Sequence, residues 1–348
     1  MHQPPTATLD RMAASFATKP KVSQLSFAVE QPSTGFTWSY GPIDQPYSIA
    51  SISKLYAVAI IMQLREEAAL TLNTRIAELL GEDTVRGLVV HHGRDYGSAI
   101  TVRELLSHTS GIPDYFEDKR ADGSTFLANM TQRDAAWTVE DFLAMAREIP
   151  SKFAPSTPGK AQYSDTNFQL LGRIVEVVTS ESYDHALKRR VLDPHGLTAT
   201  WLMTPHNLDR FGDIAPIMRK RTRLHVPQTL ASFPADGAVV STSTDQLRFL
   251  RAFMEGKLFP QRYLTEMTAH WNSVFTPIDY GIGIMRYQAP RWQTLFWKIP
   301  PMFGHSGAFG NVLYYMPERD IYVVGTVNQM VPISLPYRLL MRLVMQFS

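Results

Sequence analysis

Residues 47–58 read YSIASISKLYAV, and the apolar run LYAVAIIM starts immediately behind Lys54. A buried, unpaired ammonium is costly, and burial lowers its pKa. Lys54 therefore either snorkels to solvent or is held beside a group that uses it. Ser51 lies three residues earlier, and on a helix that spacing puts both side chains on one face. A neutral amine there accepts the hydroxyl proton, whereas an ammonium stabilises developing charge. A serine opening a helix also meets free N–H groups and the positive end of the dipole. The S-x-x-K spacing arises often by chance, so the rest of the chain decides its meaning.

Outward from this stretch, ATLDRMAASFA (7–17) has the pattern of a short amphipathic helix. VSQLSFAVE (22–30) and FTWSYG (36–41) read as two strands joined by the turn QPSTG. The apolar helix opened by Ser51 runs to about Leu64. From about 70 to 270, helical segments such as VEDFLAMAREI and FQLLGRIVEVVT alternate with Pro/Gly-rich connectors. Strand-like runs return as YGIGIMRYQ, TLFWKI, NVLYYMP and IYVVGTVN. The closing PYRLLMRLVMQF places Arg338, Arg342 and Gln346 on one polar stripe, which predicts a helix lying on a sheet with one edge wet. The expected fold is α/β (α+β), a single domain over 1–348. An antiparallel sheet lobe comes from about 1–65 and 275–348, with a mainly helical lobe, about 66–274, inserted between.

The 348 residues are 45% hydrophobic and 19% charged, with a net charge of +2, so nothing global calls for nucleic acid or an anionic membrane. The one basic cluster, RKRTR at 219–223, reads as a solvated loop or, secondarily, a rim that attracts anionic ligands. With no cysteine there is no disulfide, thiolate nucleophile or thiolate metal site. No H-E-x-x-H occurs, and no metal or cofactor is expected. His91 and His92 would face apart on a regular element, and Gly281 and Gly283 of DYGIGI read as strand residues, not a phosphate loop. MHQPPTATLDRMAASF shows no signal-peptide pattern, so the expected location is cytoplasmic if Met1 is native, and periplasmic or extracellular if a leader was removed. LYAVAIIM is too short to cross a bilayer. Nothing in the sequence assigns an oligomeric state.

GHSGA at 304–308 approximates a G-x-S-x-G elbow, but a strand-like NVLYYM follows and no histidine lies beyond His305, so the α/β-hydrolase reading fails. SISK does better in company. With AQYSDTNFQLLG (161–172), GHSG (304–307), LLSHTSGIPDY (105–115) and DGAVVSTSTDQLRFL (236–250), the sequence resembles the serine β-lactamase and penicillin-binding-protein-like hydrolases. The branch is that of class C β-lactamases, D-stereospecific peptidases and family VIII-type carboxylesterases, and the motifs span about 22–330 in the family's order. The resemblance implies Ser51 as the acylated nucleophile, Lys54 as the motif lysine and Tyr163 as base and then acid. It also implies an oxyanion hole from the N–H groups of Ser51 and Ala308, with Asp165, His305, Ser306 and Gly307 along the substrate. His108 is expected to be structural, tying a backbone carbonyl.

Two positions depart from the family pattern. Asp165 replaces the asparagine of Y-x-N; it only accepts hydrogen bonds, and as an anion it keeps Lys54 protonated, which moves the base role toward Tyr163. His305 replaces a lysine and removes a fixed positive charge. Both favour small esters or amides with neutral or cationic groups over β-lactams and peptides with a free carboxylate. The expected activity is a serine hydrolase acting through an acyl-enzyme. A D-amino-acid peptidase or weak β-lactamase stands behind it, then a penicillin-binding or scaffold protein without turnover.

Overall fold

The computed structural model describes residues 4–289 and 299–347. Eight antiparallel strands form the main sheet: β1 (Ser26–Gln31), β2 (Phe36–Tyr40), β3 (Asn272–Phe275), β4 (Ile278–Tyr280), β5 (Met285–Tyr287), β6 (Met302–Gly307), β7 (Asn311–Met316) and β8 (Ile321–Thr326). Their spatial order is β3-β4-β5-β6-β7-β8-β1-β2, so the first strands of the chain close against the last. Val29 pairs with Val323 on one side and Trp38 on the other.

Side-chain alternation along these strands builds two cores. Phe27, Val29, Val312, Tyr314 and Val323 point to the outer face, where α1 (Thr6–Ala17) and the C-terminal helix supply Leu9, Phe16, Leu339 and Leu343. Ala28, Leu313 and Val324 point inward to a larger core shared with α2 (Ser53–Glu66). α2 is buried almost all round because it lies between the sheet and the helical region, against α3 (Asp165–Thr179). Thr101 and Thr138 start shorter helices there with reciprocal caps to Glu104 and Asp141. The C-terminal helix is α5 (Leu335–Val344), with Arg338 and Arg342 exposed and Leu339, Leu340 and Leu343 buried, as the polar stripe predicts.

Several local expectations change. Val22–Leu25 stays outside the ladder, and the first strand starts at Ser26. The helix does not open at Ser51: a 3-10 turn (Ala50–Ile52) precedes α2. YGIGIMRYQ is broken at Gly281–Ile284, so neither glycine lies on a strand. Gly283 has φ +72°, and a Cβ there would stand 2.5 Å from Val58 Cγ2. TLFWKI lies outside the described residues apart from Ile299. α4 (Ser243–Met254) falls in the range assigned to the helical lobe yet packs on the inner face of β1, β7 and β8, because Phe249, Leu250 and Phe253 present an apolar face to the sheet. His91 and His92 also fail to face apart. His92 turns the chain at φ +50°, and the two rings lie 4.1 Å apart.

Phe249 ties α4 to α2 by stacking on Tyr56 with ring centroids 3.7 Å apart and planes 6° from parallel, and both residues are fully buried. Phe249→Ala is expected to destabilise the fold by about 3–5 kcal/mol in urea denaturation. A loss below about 1 kcal/mol would mean that this layer contact is dispensable.

Candidate active site

Ser51 reaches its position through a strained turn held against a strand. Ala50, just before it, takes φ +48°, a left-handed conformation unfavourable for alanine. The turn packs on the end of β6, where Gly307 leaves room: a Cβ there would lie 2.3 Å from Ile49 O and 3.2 Å from Ala50 Cβ. Asn311 of β7 donates to Ser48 O at 2.9 Å and fixes the approach to the turn. Ser51 and Ala308, the next residue after β6, consequently line one narrow cleft with Tyr115, Phe116, Asp165 and Asp236.

Lys54, in the first turn of α2, is fully buried and does not snorkel. Its ammonium donates to Ser51 Oγ at 3.2 Å, to the Asp236 carbonyl at 3.0 Å and to Asp165 Oδ1 in a very short contact. Three donors thus meet three acceptors. Burial alone pulls the Lys54 pKa down, but the Asp165 and Asp236 charges and the hydrogen bond to Asp165 prevail and raise it, so the group is an ammonium. A second acid layer lies behind. Asp236 accepts from Tyr115 at 2.8 Å and Gln169 at 3.0 Å, and burial, opposed by Lys54 and reinforced by Asp165, pushes it up to about 7. Asp114 accepts from the backbone N–H groups of Asp165, Phe116 and Glu117, and burial and the Asp165 charge hold its carboxyl well above the usual range.

Tyr163 stands just before α3, with Lys54 Nζ 5.2 Å from its ring centroid. Burial and the Asp165 charge raise its pKa well above 10, while the neighbouring Ser51 hydroxyl pulls the other way. His108 packs against Tyr163 with ring centroids 4.5 Å apart and planes tilted by 36°, and meets Tyr280 edge-on at 4.4 Å. Its Nδ1 accepts from Ser164 N–H at 3.2 Å and from the Asn167 amide at 3.1 Å. The histidine is therefore structural, but it ties a backbone N–H and not a carbonyl. Its pKa falls well below 6.5 through burial and the Lys54 charge.

The G-H-S-G strand divides by face. His305 is on the inner side but fully buried behind Tyr163, not at the mouth of the cleft. Its Nδ1–H donates to Ser306 O at 2.8 Å, so Nε2 is bare and accepts from the Tyr280 hydroxyl at 3.1 Å. Burial and Lys54 push its pKa down to about 3, leaving it neutral. Ser306 points to the opposite face, where Tyr337 and Tyr314 donate to its Oγ, so its side chain is not on the substrate side. Gly307 is present for close approach. Asp236, Asp114, Tyr115 and Tyr280 escaped the sequence reading as site residues, although DGAVV, GIPDY and DYGIGI contain them. The available signal was the recurrence of an aspartate beside a glycine or tyrosine in these short motifs.

An antiparallel sheet meeting a helical lobe at a buried Ser-x-x-Lys helix is the architecture of the β-lactamase/DD-peptidase-like proteins. The chain belongs to the Beta-lactamase family, whose family model matches residues 25–342. It is 27% identical over 300 residues to penicillin-binding protein 4 of Amycolatopsis lactamdurans, covering 78% of this chain and 68% of that one. With penicillin-binding protein 4* of Bacillus subtilis it shares 25% over 267 residues, 70% of this chain and only 53% of the relative. A D-stereospecific amidohydrolase from Streptomyces sp. superposes with TM-score 0.73 at 26% identity, over 94% of this chain and 95% of the other. EstCE1, a hydrolase with promiscuous acyltransferase activity, shares the fold at TM-score 0.75 and 18% identity, over 96% of each chain.

At about 7, the Asp236 carboxyl lies above its ordinary value near 4, so the folded protein keeps a proton that the unfolded chain releases. That stability is complete below about pH 4 and is lost as pH rises through about 7. The melting temperature of the wild type minus that of Asp236→Asn should therefore fall from about pH 5 to about pH 8. A difference that stays level or grows would show that Asp236 ionises freely in the fold.

Proposed function

We propose that the protein is a serine hydrolase acting through an acyl-enzyme on esters or small amides. One observation carries this reading: a fully buried lysine spends its ammonium protons on Ser51 Oγ, Asp165 and the Asp236 carbonyl. An ammonium held so firmly stabilises charge and does not serve as the resting base. Ser51 Oγ attacks the substrate carbonyl carbon and its proton moves to the Tyr163 oxygen, while Tyr163 passes its own proton to the leaving oxygen or nitrogen. No phenolate accumulates, which suits a phenol whose pKa is raised. The N–H groups of Ser51 and Ala308 receive the oxyanion. Water then returns through the same relay to release the acid.

The cleft has aromatic walls, Tyr115, Phe116, Phe233 and Phe309, and its acidic lining is Asp165 and Asp236. An apolar acyl group with neutral or cationic substituents suits it, and a free carboxylate does not. The Streptomyces amidohydrolase supports small amides as substrates. The penicillin-binding relatives support a second reading, slow acylation by β-lactams with little turnover.

A fluorophosphonate should add its mass to the peptide containing SISK, and Ser51→Ala should abolish labelling; mass on Ser306 would sink the mechanism. Tyr163→Phe should lower kcat on an activated ester by roughly 10²- to 10⁴-fold with a smaller change in KM. Near-normal turnover would return Tyr163 to a packing role. In a panel of p-nitrophenyl esters, D-amino-acid anilides and nitrocefin, the wild type should favour the esters or anilides. Faster turnover of nitrocefin would favour a β-lactamase.

A further inference from the structure

The basic cluster at 219–223 is not a loose loop. Met218–Arg219 and Thr222–Arg223 pair as a two-stranded hairpin, and its tip is clamped from outside: Lys220 N–H donates to Gln329 Oε1 at 2.7 Å, and Gln329 Nε2 donates to Lys220 O at 2.8 Å. Met330 N–H adds a bond to Met218 O at 2.9 Å. Lys220 turns the tip at φ +57°, where glycine or asparagine would be relaxed. Arg219, Lys220, Arg221 and Arg223 are all exposed, and among the described residues none forms an ion pair. The fold thus holds four like charges together rigidly, in a turn whose sequence does not favour turning.

The clamp continues into the most exposed large apolar side chain of the described residues, Ile333 at 71% exposure, and then into α5. Ser23 N–H binds Val327 O at 3.3 Å, which brings the chain following α1 to this same end of the sheet. The hairpin and its clamp therefore form a basic surface with an apolar point beside it, although the whole chain carries a net charge of only +2. It also adjoins the cleft: a Cβ on Gly310, two residues after Ala308, would lie 2.7 Å from Gln329 O.

We propose that this end docks the protein on an anionic lipid surface, with the Arg219–Arg223 hairpin among the headgroups and Ile333 entering the interface. Clustered cations beside an exposed aliphatic side chain suit a charged bilayer surface, which offers both phosphate and hydrocarbon. A nucleic acid offers charge but no place for the isoleucine, and no aromatic side chain stands in the hairpin for bases to stack on. Docking would hold the mouth of the cleft beside the membrane plane and give access to esters or amides carried there.

The test is flotation of the full chain with phosphatidylcholine vesicles, with and without phosphatidylglycerol. Binding should require phosphatidylglycerol and weaken as salt rises. The double variant Arg219→Glu/Arg221→Glu should lose at least about tenfold in affinity, and Ile333→Ser should lose several-fold while keeping the salt dependence. Both variants should retain the wild-type melting temperature and fluorophosphonate labelling of Ser51, since neither touches the cleft. Absence of binding at low salt, equal binding to neutral vesicles, or full binding by the double variant would overturn the proposal. So would tight binding to heparin or oligonucleotide with no binding to vesicles.

Discussion

The ammonium of Lys54 is the point around which the molecule is arranged. A cation without solvent access must find acceptors for all of its protons, and here they come from parts of the chain far apart in sequence: Ser51 in the preceding turn, Asp165 at the start of α3 and the Asp236 carbonyl ahead of α4. α2, buried on nearly every side, can carry the lysine only because the two lobes meet there. Loss of any acceptor would leave a buried charge uncompensated, a far larger penalty than loss of a surface ion pair. One interaction thus joins lobe packing to the geometry around Ser51.

Around that centre the acids are layered by distance from the cation. Asp165 touches it and Asp236 offers it a carbonyl. The Asp236 and Asp114 carboxyls are held in place by Tyr115, Gln169 and backbone N–H groups, and both are pushed upward by burial. On the other side, Tyr163 is enclosed by His108, Tyr280 and His305. Both imidazoles are kept neutral by burial and by the Lys54 charge. Lys54 therefore faces acids on one flank and uncharged rings on the other.

Much of this is legible in the amino-acid sequence. The terminal helices and the first hairpin have clear periodicity, and the resemblance to a known family singled out Ser51, Lys54 and Tyr163. What escaped has physical reasons. Asp236 lies 182 residues from Lys54, and no local pattern connects them. Reading G-H-S-G as one unit ignored the alternation of a strand, which sends His305 and Ser306 to opposite faces. α4 lies within the mainly helical range yet packs on the sheet, because an amphipathic helix shows that one face is buried and not what buries it. The role of Gly307 becomes visible only when the Ile49–Ser51 turn is seen lying against it.

Asp236 has a consequence for thermodynamics. With its carboxyl at about 7, Asp236 adds no fixed charge to the cleft near neutrality, and one proton can leave or stay according to what enters. A cationic ligand favours its departure and a neutral one its retention, so two ligands of equal affinity would differ in the protons they exchange with the solution. Calorimetric binding enthalpies would then vary with the ionisation heat of the buffer for the cationic ligand and much less for the neutral one. Buffer-independent enthalpies for both would mean that the proton is not free to move. With a mobile proton, by contrast, the cleft behaves as a proton reservoir that adjusts its charge to its occupant.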